Sequence, residues 1–573
     1  MYGISAYQTQ KNFFFPLLLG TIAAVYYGQY YNCGFNIADE GVHALRSMRL
    51  LHGEVPFLDM ELNNGLLWYY PLVVLFGVFG VNFVLMKVYF FFLAALTSLL
   101  GYAVVSRLTG KRGMAFICAT LLILVPGTIH KAYIPLIIVG NMYFVTRIDF
   151  ERTVLDIRQL APAFGAAALS WLIRSDLGIY VTSVLLGVVL AHILTRGRAS
   201  WADIMSNVRI LCVMGGLFFL IIFPFVVISL TQGFFESFAS YMVLWPKLRE
   251  QLFPASQMSS MVDTSSLLVD LMRLHPDAGR PLSRIPFSDI WQSSGNRTAA
   301  LLTYMPLFII AITCICLTLL WLARTSTGPF RSTNQAIRLL SVLALAVGAL
   351  PQFIVWRPDM GHLSQFMPGM LVLEMVLIGS LLYSTGPPAR ESSLVCQSGW
   401  TLVPRIIVGA VLVFHVTFYT WYGLTHHGTG SIAVAKGCSR LFEAENGIRV
   451  YVDPQTWTEL TNMKRLVETF AGPRDYVVCF PYSPGINVMT NRMTFMRHMG
   501  VSDAWLFRPG WQEETVHQIA SKKPAIILIS DWAINNREIS KFSNWATIVT
   551  RFVSENYRDA GVVLGHRIYI AKE

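Results

Sequence analysis

Two adjacent carboxylates, Asp39 and Glu40, stand in the segment Asn36-Ile-Ala-Asp39-Glu40-Gly-Val-His43. Behind them Val42, Leu45, Met48 and Leu51 recur at helical spacing, Asn36 is placed to cap the start, and Gly53 to end the helix. Both carboxylates then fall in a first turn, where the helix dipole favours the ionised form. An ionised carboxylate beside water can take the proton of an incoming hydroxyl. His43 and Asp59 share the same loop and are candidates for holding a substrate. Two further groups carry charge between apolar runs, Arg174-Ser-Asp176 and Arg357-Pro-Asp359-Met-Gly-His362, and another outer turn holds His130-Lys131. Arginines hold anionic groups through paired charge-assisted hydrogen bonds. An inverting glycosidase needs a second carboxylic acid to protonate its leaving oxygen, whereas a phosphate departs as a stable anion and asks only for cationic partners. One base with Arg or His is a sufficient set for moving a sugar off a lipid phosphate. Each group also has an ordinary reading: surface carboxylates at a helix start, solvated turns at Arg174 and Arg357, and a Lys131 that snorkels to the interface.

The elements that must position these groups are membrane spans. The 573 residues are 54% hydrophobic and 13% charged, far too apolar for a soluble chain of this length. Hydropathy places about eleven apolar stretches before Leu424, each of the order of the roughly 20 residues a span needs. The first, Phe13 to Tyr31, has no small-residue cleavage site behind it and reads as an uncleaved span. Residues 32–81 then form an outer loop, in which Leu66 to Gly80 lies along the membrane surface. The next spans fall near Phe83 to Val105, Met114 to Thr128, Ala132 to Val145, Leu160 to Ile173, Leu177 to Leu194, Ile210 to Leu230, Ala299 to Leu322, Leu339 to Val355, Leu363 to Leu382 and Ile406 to Leu424. With the N-terminus in the cytoplasm, the inner turns hold Arg107, Lys111 and Arg112, then Arg147, Arg152 and Arg158, then Arg196 and Arg198, then Arg324, Arg331 and Arg338, then Arg390 and Arg405. That is the positive-inside bias. It puts the acidic first loop, Arg174, Arg357, the long loop 231–298 and the tail on one outer face.

The tail, 425–573, reads as a small α/β domain. Tyr476 to Phe480 and Ala525 to Ser530 are short buried strands, Thr456 to Phe470 and Asn544 to Tyr557 amphipathic helices, and Val562 to Ile570 a closing strand or hairpin. The fold class is therefore mainly α, a polytopic helical bundle over 1–424 with an extracytoplasmic α/β domain over 425–573.

Ala38-Asp39-Glu40-Gly41, Gly53-Glu-Val-Pro56-Phe57-Leu-Asp59 and Asn64-Gly65-Leu-Leu-Trp68-Tyr69-Tyr70-Pro71 resemble the acidic first outer loop of the GT-C glycosyltransferases, the class that includes protein O-mannosyltransferases and the lipid A aminoarabinose transferase. Arg174-Ser-Asp176-Leu-Gly178 and Arg357-Pro-Asp359 with His362 are similar to charged loops of bacterial members. Phe480-Pro-Tyr482-Ser-Pro484 with Thr490-Asn-Arg492 looks like their appended outer domains. The resemblance implies a polyprenyl-phosphate sugar donor, a glycan, glycolipid or protein acceptor, Asp39 as general base, and Glu40 as its neighbour or a metal-side ligand. Many members carry a second acidic residue in the next outer loop, where this chain has Pro126-Gly-Thr-Ile-His130-Lys131. That departure leaves a divalent ion open and suggests a phosphate contact for Lys131. The bacterial cytoplasmic membrane is the implied location.

Two other classes compete. A transporter of lipid-linked sugars would show charged mid-membrane positions and inverted repeats, and a polymerase or ligase would use a diphosphate-linked glycan. Nucleic acid is not an expected partner, because the basic residues behind the net charge of +11 are scattered through short loops rather than gathered in a stripe. The eight Cys form no C-x-x-C pair, although Cys33, Cys438 and Cys479 all fall outside and admit one disulfide. His426-His427 reads as a wet juxtamembrane turn, and Asn296-Arg-Thr298 is a sequon that matters only in a eukaryote.

Overall fold

The computed structural model describes residues 3–62, 64–195, 200–231, 333–348, 360–383, 402–425, 432–501, 510–532 and 541–572. Arg357, Asp359, the loop 231–298, the span expected near Ala299 to Leu322 and His426-His427 lie outside them.

The helices in order are α1 Gly3–Tyr27, α2 Asp39–Leu51, α3 Leu66–Phe79, α4 Phe83–Thr109, α5 Arg112–Leu124, α6 Tyr133–Val145, α7 Ile157–Ile173, α8 Ser175–Thr195, α9 Trp201–Thr231, α10 Thr333–Val347, α11 Met360–Tyr383, α12 Leu402–Thr425 and α13 Ile432–Gly437. The tail continues as β1 Arg440–Ala444, β2 Ile448–Val452, α14 Pro454–Phe470, β3 Val477–Phe480, α15 Gly485–Thr490, α16 Trp511–Lys522, β4 Ile526–Ser530, α17 Phe542–Trp545, α18 Thr547–Asn556, β5 Tyr557–Val563 and β6 His566–Ala571. Each apolar run expected as a span within the described residues contains a helix, although the runs beginning at Phe13 and Met114 leave the helix before their expected ends. Among the described residues three helical stretches are long and apolar enough to cross a membrane, Phe83–Thr109, Ser175–Ile193 and Trp201–Ile228. This is a membrane protein of mainly helical fold with a small sheet region near its C-terminus.

The chain divides into two compact units. One comprises Met1–Tyr30, Phe90–Ile222 and Ser293–Ala433, and the other Tyr31–Tyr89, Phe223–Gln292 and Val434–Glu573.

In the first unit α6 packs against α7, α10 and α11, and α11 packs against α5 and α12. Small residues let these helices approach: Gly369 of α11 leaves room for Ile138, and Gly101 for Leu122 and Val372. Polar groups are satisfied between helices, with Asn141 donating to Ser170 Oγ at 3.0 Å and Thr128 and Ser364 sharing a hydrogen bond of 3.0 Å. Midway along α11 and α12, Glu374 and His415 meet at 2.7 Å, 0% and 1% exposed. Sequence reading places the charges at span ends; this pair lies inside two apolar runs, where each ionisable group is tolerable only through the other.

In the second unit the tail forms a hairpin, β1–β2, and a four-stranded sheet of order β3-β4-β6-β5. β3 and β4 are parallel, while β6 runs antiparallel to both β4 and β5. The two expected strands and the closing hairpin are present. The apolar residues of β3 and β4 pack with Trp511, Phe542, Trp545 and Val549 into one core. Helix α3 buries Trp68, Tyr69, Leu72 and Phe76, while Tyr70, Val74 and Val78, one turn apart, are exposed. At about 1.5 Å per residue it is roughly 21 Å long, short of the roughly 30 Å hydrocarbon core.

Main-chain bonds hold the first loop and the start of α4 to the tail, two of them at glycine-bearing turns. Gly485 N–H donates to Ile37 O at 2.6 Å, and a Cβ on Gly41 would stand 2.2 Å from Gly485 N. Phe83 N–H donates to Asn446 O at 2.9 Å, at the Asn446-Gly447 turn of the hairpin.

Two stability outcomes follow. Gly41→Ala should destabilise by about 1–3 kcal/mol, the usual cost of overpacking, whereas Gly165→Ala on α7, which meets nothing within 4 Å, should be neutral or gain up to about 1 kcal/mol; thermal unfolding in detergent compares them. Glu374→Ala should cost about 3–5 kcal/mol by leaving His415 buried alone, while Leu at both positions should cost little.

Candidate active site

Helix α2 carries the candidate carboxylates, and its start is built as the sequence anticipates. Asn36 Oδ1 accepts from Ala38 N at 2.9 Å and Asp39 N at 3.0 Å, while Glu40 Oε2 accepts from Asn36 N at 3.0 Å. This reciprocal arrangement satisfies donors that a helix start otherwise leaves orphaned. The helix is not the amphipathic surface element its spacing suggests. Residues 40–50 are all buried, because its polar face is occupied by paired cations.

Asp39 is held from the tail: Tyr482 Oη donates to its Oδ1 at 3.0 Å. Burial lifts the Tyr482 pKa well above its ordinary value, and the neighbouring Asp39 charge adds to this, so the phenol stays protonated and a donor. The turn bearing Tyr482 is itself fixed. Ser483 Oγ donates to His566 Nε2 at 2.7 Å, and His566 Nδ1 donates to Leu564 O at 2.6 Å. Burial lowers the His566 pKa, consistent with a neutral imidazole that accepts on one nitrogen and donates on the other.

Glu40 pairs instead with Lys87, whose Nζ lies 3.4 Å from Oε1 and also donates to Cys33 O and Gly34 O at 2.7 and 2.9 Å. Lys87 therefore clamps the chain just ahead of α2. His43 is buried between Trp68 and Tyr69. Trp68 Nε1 donates to its Nδ1 at 3.2 Å, so the imidazole proton sits on Nε2. Asp59 belongs to the turn after α2: its Oδ2 accepts from Val55 N at 2.7 Å, closing the Gly-x-x-Pro-Phe-x-Asp segment, and its carboxylate is exposed.

Two buried arginines complete the setting. Arg46 donates to Tyr69 Oη at 2.8 Å; burial works against its charge, but Tyr69, Tyr482 and Glu61 outweigh that and hold its pKa above the ordinary value. Arg49 bonds Glu54 at 2.6 Å, Met496 O at 2.7 Å and Asp59 O at 3.0 Å. Beside it Glu61 and His498 meet at 2.8 Å, and Arg497 donates to Phe57 O at 2.8 Å.

The remaining candidates belong to the first unit. Arg174 caps α7 and Asp176 opens α8; Arg174 Nε donates to Asp176 Oδ1 at 2.9 Å, so the two form one ion pair across a tight turn. Lys131 ends a single 3-10 turn, Ile129–Lys131. His362 lies in the first turn of α11. The structure thus joins Asp39, Glu40, His43 and Asp59 in one unit, and Arg174 with Asp176 in the other. Among the described residues no three His, Cys, Asp or Glu side chains assemble as a metal site, and Asp39 and Glu40 are engaged by a phenol and an ammonium.

Sequence reasoning misses Arg46, Lys87, Tyr482, Ser483 and His566. Lys87, alone near the start of a long apolar run, and Arg46 and Arg49, one turn apart among Val42, Leu45, Met48 and Leu50, are signals in the sequence. Tyr482 has none, since its role depends on a partner 443 residues away.

No protein-family profile matches the chain, and no curated protein matches it. Among solved structures, ArnT from Cupriavidus metallidurans bound to undecaprenyl phosphate is similar at 11% identity and a TM-score of 0.48, covering 98% of both chains. The same protein in its apo state is similar at 11% identity and a TM-score of 0.47, again over 98% of both.

Proposed function

We propose that this chain transfers a sugar from a polyprenyl-phosphate donor to an acceptor hydroxyl on the outer face of the bacterial cytoplasmic membrane, with Asp39 as general base. The observation that carries this reading is the placement of Asp39: a carboxylate in the first turn of a buried helix, its orientation set by Tyr482 at 3.0 Å. The resemblance of the first loop to the GT-C class supports it, and undecaprenyl phosphate, bound by the similar ArnT structure, is the donor carrier we infer here.

In this mechanism the acceptor hydroxyl loses its proton to Asp39 as its oxygen attacks the anomeric carbon. The bond to the lipid phosphate breaks on the opposite side, so the sugar's configuration inverts. The phosphate leaves as an anion and needs no acid. Arg174, Arg357, His362 and Lys131 supply the cations that hold it, Asp176 keeping the Arg174 guanidinium oriented through Nε while its terminal nitrogens face the anion. His43, Asp59 and Asp359 line the donor or acceptor path. No step is routed through a metal. The N-terminus lies in the cytoplasm, domain 425–573 lies outside, and the exposed apolar edge of α3 rests on the outer leaflet. The acceptor is a glycan, glycolipid or protein of the envelope.

A second reading draws on one observation. Glu374 and His415 are the mid-span charges that a transporter of lipid-linked sugars would carry, and their burial against each other favours a packing role over a path.

Purified protein supplied with polyprenyl-phosphate sugars should form a new glycosidic product, and Asp39→Asn should lower kcat by about 10²- to 10⁴-fold, the usual worth of a general base, while remaining folded. Full activity in a folded Asp39→Asn variant overturns the mechanism. Tyr482→Phe should cost roughly tenfold or more, as expected for a hydrogen bond to a charged group. In sealed vesicles, lipid-sugar movement without product, lost on Glu374→Gln, would favour the transporter.

A further inference from the structure

Three of the protein's cysteines belong to the second unit: Cys33 ahead of α2, Cys438 ahead of β1, and Cys479 in β3. Cys479 stands in the four-stranded sheet, paired in register with Leu528 of β4. The other two converge on β2. Tyr451 N–H donates to Asn32 O and Gly34 N–H to Tyr451 O, both at 2.8 Å, so Cys33 forms a single parallel bridge with Tyr451 of β2. On the hairpin side Ser439 N–H donates to Val452 O at 3.0 Å and Arg440 pairs with Val452. Cys33 and Cys438 thus flank the same end of one strand, close enough for each thiol to perturb the other's ionisation.

The setting suits neither a metal site nor a catalytic thiolate. Burial pushes Cys33 up to about 11 and raises Cys438 as well, which keeps both thiols protonated where a ligand or nucleophile must be ionised. No third donor joins them among the described residues.

We propose that Cys33 and Cys438 are joined by a disulfide in the mature protein, locking the first loop onto the hairpin β1–β2. This rests on the outer-face placement argued above, since such bonds persist in oxidising compartments. The bond forms during folding, before burial keeps the thiols protonated, by exchange with a protein that carries a disulfide. One thiol, deprotonated, attacks the oxidant's disulfide and releases one of its sulfurs; the second thiolate then displaces the other sulfur from the mixed disulfide. Two protons and two electrons leave the pair, and the oxidant departs as a dithiol. The consequence lies close to the candidate base. Cys33 lies three residues before Asn36, and its carbonyl is bound by Lys87, so the bond would fix covalently a segment that Lys87 holds by charge.

The test uses the full-length protein in intact cells, quenched in acid, alkylated, and mapped by mass spectrometry without reduction. A linked peptide pair containing Cys33 and Cys438 is expected, with one additional alkylated thiol in Cys33→Ser and in Cys438→Ser. Reductant should raise hydrogen exchange across residues 32–38 in wild type and leave Cys33→Ser unchanged. Sidedness is read separately with Arg449→Cys, at an exposed hairpin position, probed in spheroplasts by an impermeant maleimide. Both native thiols alkylated while Arg449→Cys labels from outside would overturn the disulfide and leave the topology standing. Labelling of Arg449→Cys only after lysis would overturn the topology and the disulfide with it.

Discussion

At one place the main chain of the first loop touches the main chain of the tail with no side chain between them. Gly485 N–H bonds Ile37 O at 2.6 Å, and a methyl on either Gly41 or Gly485 would overlap backbone atoms of the other segment. A contact of that kind fixes position to a few tenths of an ångström, because backbone can neither rotate away nor choose another rotamer. Tyr482 lies three residues before Gly485 and Asp39 two residues before Gly41, so the phenol and the carboxylate are brought together by the same closure. Their 3.0 Å hydrogen bond is a consequence of the glycines as much as of its own chemistry.

A closure so tight leaves α2 with no solvent face, and its charges must be resolved internally. Arg46 spends its charge on Tyr69 and the field of Tyr482 and Glu61, Arg49 on Glu54 and two carbonyls, and Glu40 on Lys87. Buried pairs of this kind add little net stability compared with apolar packing. Their geometry is specific, however, and removing one partner is expensive. A loop pinned by several of them has one arrangement available, which a general base requires, since catalysis by proximity is lost with errors of about an ångström.

The membrane helices were legible because lipid imposes a simple rule on sequence: roughly 20 apolar residues in a row. The expected spans near Phe83, Leu177, Ile210 and Leu363 match helices to within several residues. The strands at Val477 and Ile526 were legible as short apolar runs, and the N-terminal cap at Asn36 by residue type. The hairpin β1–β2 was missed although Asn446-Gly447 is a strong turn signal and β2 alternates buried and exposed residues, because each strand has only five residues. Glu374 and His415 were missed because one charge in a run of 24 residues barely alters hydropathy. The pairing of Tyr482 with Asp39 was beyond reach, and Cys33, Cys438 and Cys479 were singled out for one disulfide without a choice of partners, for a different reason: each pairing joins segments hundreds of residues apart, and no local pattern records what a residue will meet after folding.

What remains is why one carboxylate in this loop would be enough. On the proposed mechanism a leaving phosphate makes unnecessary the acid that a glycosidase must supply, so what would fall to the protein is pointing a base and gathering cations. Tyr482 would serve the first by binding one oxygen of Asp39, which sets the plane of the carboxylate and hence the direction of the other. Glu40, adjacent in sequence but turned to Lys87, is removed from that role by its partner. Two neighbouring acids are thus separated by what the fold places beside each: a neutral phenol donor at Asp39 and an ammonium at Glu40.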